Sequence, residues 1–153
     1  MKQLKLTFLF LVVNLGALAL GSLLMNNGPL SSWYQNLNQA PWTPPGFVFG
    51  IAWTAIMISF SIYLGKLFTE KKWKKNALIF LIQFTLNVSW NFIFFNQHLV
   101  LLGFVTLLFL TLLLFLYFFK RSAAINNYKY LVVPYMIWLC IATSLNLYIL
   151  VHN

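Results

Sequence analysis

Five apolar runs, each about as long as a lipid bilayer is thick, decide what this chain can fold into. They cover residues 4–25, 46–68, 76–97, 99–119 and 130–151. Roughly 20 residues at ~1.5 Å rise per residue cross a ~30 Å hydrocarbon layer as an α-helix. Inside lipid the backbone must satisfy its own hydrogen bonds, which a helix does within one segment. The expected fold class is therefore all-α: one membrane domain over residues 1–153, an integral bundle of five transmembrane helices. The composition agrees. With 61% hydrophobic and only 7% charged residues, a water-soluble domain of this length could not cover its apolar surface.

The cations give the orientation. Lys2 and Lys5 open the first run, Lys66, Lys71, Lys72, Lys74 and Lys75 surround the second gap, and Lys120, Arg121 and Lys129 lie in the fourth. The first gap, the third gap and the tail hold no Lys or Arg. If the spans alternate, every cation falls on one side, which predicts an N-terminus inside and a C-terminus outside. A missed or invented span would scramble that agreement. The formal net charge of +9 is thus a topology signal; its short scattered clusters do not form the continuous basic face that nucleic acid requires. Glu70, the only acid, sits in the basic loop and reads as a solvated surface charge. Ala17-Leu18-Ala19 resembles a signal-peptidase site, yet the apolar run continues to Met25, too long for a signal peptide's apolar region, so a retained helix is expected. Short gaps between the last four runs suggest that those helices pack as consecutive antiparallel neighbours.

The first gap, residues 26–45, is uncharged and rich in rigid and aromatic residues: Trp33, Tyr34, Pro41, Trp42, Pro44 and Pro45. The prolines restrict the backbone and the aromatics need burial or an interface. The expectation is a lid folded over the outer end of the bundle. Thr43-Pro44 reads as a helix cap followed by a first-turn proline. On the third run Gln83, Asn87 and Trp90 share a face at i, i+4, i+7 spacing, with Asn91 beside them. On the fifth, Tyr135, Trp138, Ala142 and Asn146 lie near one stripe; on the second, Trp53, Ile56 and Phe60 do. Buried amides must find partners, so these faces point into the bundle. Two readings stand for them: helix-to-helix ties with interfacial aromatics, or the walls of a site for a flat apolar ligand. Ala17 and Gly21, with Gly16 and Ser22 alongside, form a small-residue stripe on the first run that permits close helix approach within the bundle or across a dimer.

Acid–base chemistry finds little support. No acid lies in a span, so no carboxylate base is available there. His98 and His152 both fall at the outer rim and read as surface histidines; no metal site is expected. Cys140 stands alone in an apolar run and reads as a small buried hydrophobe. Midplane charges and paired broken helices, the marks of many transporters, are missing from the sequence.

These residues resemble the TspO/MBR family, the tryptophan-rich sensory proteins whose mammalian members are the translocator protein or peripheral benzodiazepine receptor. The likeness rests on Trp33-Tyr34, then Ala40-Pro41-Trp42-Thr43-Pro44-Pro45, Phe49 and Trp53; on Gln83, Leu86-Asn87, Trp90 and Phe94-Phe95; and on Pro134-Tyr135, Trp138, Ala142-Thr143 and Leu145-Asn146. It implies a five-helix bundle, often a homodimer, set here in a bacterial cell membrane, with a pocket open toward the first loop. It also implies binding of protoporphyrin IX or haem as ligand, with no required cofactor. By position, Trp33 and Trp42 belong to the lid, and Trp53, Asn87, Trp90, Tyr135, Trp138, Ala142 and Asn146 to the pocket, with Gln83 as a polar partner for the ring nitrogens. Trp53 and Trp138 match the tryptophans tied to light-dependent porphyrin degradation in some bacterial members, an enzyme-like alternative to sensing; transport of the ligand is a further alternative. The cholesterol motif of mammalian members needs a cation after a tyrosine on the fifth helix. Tyr148 here is followed by Ile149 to Asn153 without one, so sterol binding is not expected.

Overall fold

A computed structural model describes residues 1–70, 73–121 and 125–153, apart from the side chains at 73 and 121. Lys71, Lys72 and the Arg121 side chain, counted among the basic clusters, lie outside the described residues. The regular structure of the described residues is helical throughout. Five long helices are α1 (Lys2–Leu24), α3 (Gly46–Leu67), α4 (Trp73–Asn91), α5 (Val100–Leu116) and α6 (Val133–His152), and a short α2 (Ser32–Gln35) lies between the first two. Wider π turns extend α4 over Phe92–Asn96 and α5 over Tyr117–Arg121, and a tighter 3₁₀ stretch, Asn126–Val132, leads into α6. With these extensions, five helices are long and apolar enough to cross a membrane, as the five runs predict. The last begins earlier than residue 130 because the 3₁₀ stretch precedes it.

The five helices close a ring in the order α1, α3, α6, α5, α4 and back to α1. The short gaps correctly place α4 beside α5 and α5 beside α6. They fail for α3 and α4, which are consecutive in sequence but have α1 set between them. The reason lies in small residues. A Cβ added at Gly65 on α3 would come 2.9 Å from the backbone of Thr7 on α1, and one at Gly21 on α1 would come 2.6 Å from the Asn91 amide of α4. These contacts let α1 wedge between its neighbours. Ala17 and Gly21 are buried, so this stripe serves packing inside the bundle, whereas Gly16 has open space around its Cβ position.

Lipid gives apolar helices no hydrophobic reason to associate, so close packing and internal hydrogen bonds do the work. Asn14 Nδ2 donates to Ser61 Oγ at 2.9 Å, tying α1 to α3 at mid-depth, and Thr111 and Thr143 hydroxyls meet at 3.2 Å between α5 and α6. The half of the bundle carrying the lysines is solid. Phe60, Tyr63, Leu64, Leu114, Tyr117 and Leu139 are fully buried there, and Tyr63 crosses Tyr117 edge to face at 5.8 Å. Gly65→Ala is expected to force α1 from α3 and cost about 1–3 kcal/mol in thermal or denaturant unfolding in detergent. Gly16→Ala, on the open face, is expected to leave stability unchanged or raise it by up to ~1 kcal/mol through helix propensity.

Candidate functional site

The other half of the bundle is hollow and capped. α1 ends in Asn26, Asn27 and Gly28, all at positive φ, a left-handed run that asparagine and glycine tolerate best. This turns the chain back across the bundle. Ser31 caps α2: its Oγ accepts from the Tyr34 N–H at 3.3 Å and donates to the Gly28 carbonyl at 2.8 Å. The lid is then fastened on two sides. Trp33 stacks on His98 at 4.0 Å and meets Phe94 edge-on at 5.5 Å. Across the ring, the Asn38 N–H donates to Asn153 Oδ1 at 2.8 Å and its Nδ2 to the His152 carbonyl at 3.0 Å. Trp42 Nε1 donates to Ser144 Oγ at 3.2 Å, and its ring meets Tyr148 edge-on. The two rim histidines are therefore ring-stacked, His152 on Tyr148 at 3.8 Å. Among the described residues no group of three metal-ligating side chains forms.

One expectation at the lid is corrected. Thr43 does not cap the second long helix; its hydroxyl donates to the Ala40 carbonyl at 2.7 Å, and the cap is Pro45, with α3 starting at Gly46. Two consecutive prolines explain this, because each drives the residue before it out of helical geometry. The helix starts only once both are passed.

Beneath the lid lies a cavity of about 360 Å³. Trp53 of α3, Trp90 of α4, and Trp138 and Ala142 of α6 converge on it, with Phe49, Asn91 and Phe95; Met25, Pro29, Leu30 and Tyr34 close it from the lid side, and Gln39, Thr43, Pro44 and Gly46 complete the wall. Burial raises the Tyr34 hydroxyl above its ordinary pKa, so it stays a neutral donor. A second chamber of about 220 Å³ lies between α1 and α3. It shares Met25, Phe49, Trp53 and Asn91 with the first and adds Ala17, Leu18, Ser22, Gly50 and Asn87.

The floor is polar and tied. Tyr135, fully buried, accepts from Gln83 Nε2 at 3.0 Å and donates to Asn87 Oδ1 at 2.8 Å, bridging α6 to α4. Trp53 packs edge-on against the Tyr135 ring at 5.7 Å, and Phe49 against Trp138 at 5.2 Å. Trp90 stacks on Phe94 at 5.4 Å, and the neighbouring Phe95 is buried too. The indole N–H groups of Trp90 and Trp138 have no partner among the described residues.

Of the ten residues picked from sequence, Trp53, Trp90, Trp138 and Ala142 line the main cavity and Asn87 the side chamber. Trp33 and Trp42 fasten the lid from outside, and Gln83 and Tyr135 form the floor. Asn146 is buried off the cavity, near Gly103, its amide without a partner among the described residues. The sequence reading missed Met25, Phe95 and Tyr34 as wall. Only Phe95 carried a signal, lying one turn beyond Asn91.

A capped aromatic cavity within a five-helix ring defines an integral membrane protein with an internal chamber at one end. The chain belongs to the TspO/MBR family, whose model matches residues 8–152. It is similar to the tryptophan-rich protein TspO of Chlorobaculum tepidum, 32% identical over 82% of each chain. It is also similar to the protein CrtK of Rhodobacter capsulatus, 31% identical over 75% of this chain and 74% of that one, and to the tryptophan-rich sensory protein of Cereibacter sphaeroides, 28% identical over 74% of this chain and 72% of that one. Five spanning helices and bacterial relatives make it an integral bacterial membrane protein.

Two expectations follow from the site. Tyr135→Phe leaves the Gln83 and Asn87 amides each short of a partner and is expected to lower stability by about 1–3 kcal/mol in unfolding measurements. Asn38→Ala is expected to release one side of the lid, raising hydrogen exchange over residues 28–45 by roughly tenfold while exchange in α5 is unchanged.

Proposed function

We propose that the protein is a membrane sensor that binds tetrapyrroles, protoporphyrin IX or haem, in the capped cavity. The observation that carries this reading is the convergence of Trp53, Trp90 and Trp138, from three different helices, on one chamber of about 360 Å³. That volume lies within the range of small-molecule sites, and flat π-surfaces gain by stacking on indoles in a dry wall. Porphyrin binding is also what the family resemblance implies, and the name of one relative, tryptophan-rich sensory protein, supports sensing.

A porphyrin brings two propionates, and the lid end offers them no Lys or Arg. In this proposal they reach outer water or meet the start of α3, where Gly46 lines the cavity and the helix dipole favours anions. A second reading, light-driven degradation of the bound porphyrin, is favoured by the Trp53–Tyr135 edge contact, which places two oxidisable rings together at the cavity floor. Loss of porphyrin absorbance in light, abolished by Trp53→Phe, would mark that activity.

The test of binding is a dark titration of purified protein with protoporphyrin IX, read on the porphyrin absorbance. The Trp53→Leu/Trp138→Leu variant is expected to bind roughly 5- to 150-fold more weakly, since two lost stacking contacts are together worth ~1–3 kcal/mol. Unchanged affinity in that variant, with its helical content and melting temperature retained, would remove the assignment.

A further inference from the structure

We propose that the chamber between α1 and α3 is a lateral portal through which the cavity is loaded from the bilayer, by a planar amphiphile already dissolved in lipid. This rests on the reading of the capped cavity as a ligand site.

Four observations carry it. The chamber and the cavity share Met25, Phe49, Trp53 and Asn91 as common wall, so the two spaces adjoin. At the side of the chamber Ser22 and Gly50 are exposed. Among the described residues α1 packs chiefly on α3, α4 and the turn that extends α4, so the outer side of the α1–α3 seam faces lipid. Along that seam the helices touch at the basic end through Gly65 and Thr7 and at mid-depth through Asn14 and Ser61, and the chamber lies beyond these contacts toward the lid. On the lid side the cover is fastened by the Asn38 bonds to residues 152 and 153, the Trp42–Ser144 bond and the Trp33–His98 stack.

The chemistry of the portal suits such a guest. Its mouth presents no free donor to lipid, because the Ser22 hydroxyl is engaged by the Leu18 carbonyl at 3.0 Å. Its inner wall presents the amides of Asn87 and Asn91, and Asn91 Nδ2 holds only a long 3.4 Å bond to the Asn87 carbonyl. An apolar ring can slide past the mouth and exchange polar contacts with these amides on the way to the tryptophans. A flat hydrophobic molecule is far more concentrated in lipid than in water, so the lateral route also has the larger supply.

Gly50 and the lid separate the routes. Gly50 lines the side chamber and has no atom within 4 Å of its Cβ position, so Gly50→Phe plugs the portal. Asn38 lies off the cavity wall, and Asn38→Ala removes the lid's side-chain bond to the His152 carbonyl. The experiment follows protoporphyrin IX transfer from phosphatidylcholine vesicles to the protein in phosphatidylcholine nanodiscs by stopped-flow tryptophan quenching, with dissociation and equilibrium affinity measured separately. The portal predicts that Gly50→Phe slows association and dissociation together, by about tenfold or more, with little change in affinity, while Asn38→Ala leaves both rates as in the unsubstituted protein. Faster exchange in Asn38→Ala without slowing in Gly50→Phe, or no change in either variant, overturns it. Lost affinity in Gly50→Phe at an unchanged association rate overturns it too, making the chamber a subsite instead of a route. In all three cases saturable binding by the unsubstituted protein leaves the cavity assignment standing. Absence of saturable binding there removes that assignment and the portal with it.

Discussion

Helices surrounded by lipid gain nothing by hiding apolar side chains from one another, so small residues and amides decide where they touch. In this bundle those contacts are unevenly distributed along the membrane normal. Gly65 lets α3 press onto the backbone of α1 at the basic end, and Asn14 with Ser61 repeats the tie at mid-depth. Large rings then fill the same half: Phe60, Tyr63 and Tyr117 leave no space. Toward the lid α1 stays close to α4 at Gly21 and Asn91, while α1 and α3 leave a chamber between them.

Tyr135 stands at the border between the two halves. Its hydroxyl takes one bond from Gln83 and gives one to Asn87, joining α6 to α4 across the ring. That pairing keeps two amides satisfied in a medium with no water to offer and holds Asn87 at the chamber wall. The lid closes the other side with a different kind of contact. Its bonds to Ser144, His152 and Asn153 and its stack on His98 lie near the membrane surface, where water competes and such bonds open more readily. A rigid floor under a fastened but releasable cover suits a chamber that holds a guest for a time.

The spans and the lid were legible because their signals are strong and local: long uncharged runs, alternating basic gaps, and a proline- and tryptophan-rich segment with no charge. The order of helices around the ring was not. Short loops suggest that neighbours in sequence are neighbours in space, and nothing in the loop after α3 says that α1 takes the place beside it. The site was legible in part. Helical spacing correctly gathered Trp53, Trp90, Trp138 and Ala142, yet it could not tell a side chain on the cavity wall from one in the seam between helices, which depends on how the helices cross. Tyr135 and Gln83 thus became floor instead of wall, and Asn146 fell against α5. Phe95 lies one helical turn beyond Asn91, but its apolar type alone does not tell a cavity wall from a packing or lipid-facing position. Thr43 has the residue type of a cap, but the second proline holds Pro44 out of helical geometry and delays the helix to Gly46.

The central claim is that a planar guest sits among three indoles beneath the lid. Fluorine NMR on protein labelled with 5-fluorotryptophan addresses it directly, because the chain has six tryptophans and each can be assigned by substitution. On addition of protoporphyrin IX in the dark, the resonances of Trp53, Trp90 and Trp138 should shift saturably through the ring current of the guest, and by more than that of Trp42, which is exposed and off the cavity wall. Shifts shared by all six in proportion to the porphyrin dissolved in the membrane, or larger at Trp42 than at those three, would contradict a guest among the indoles.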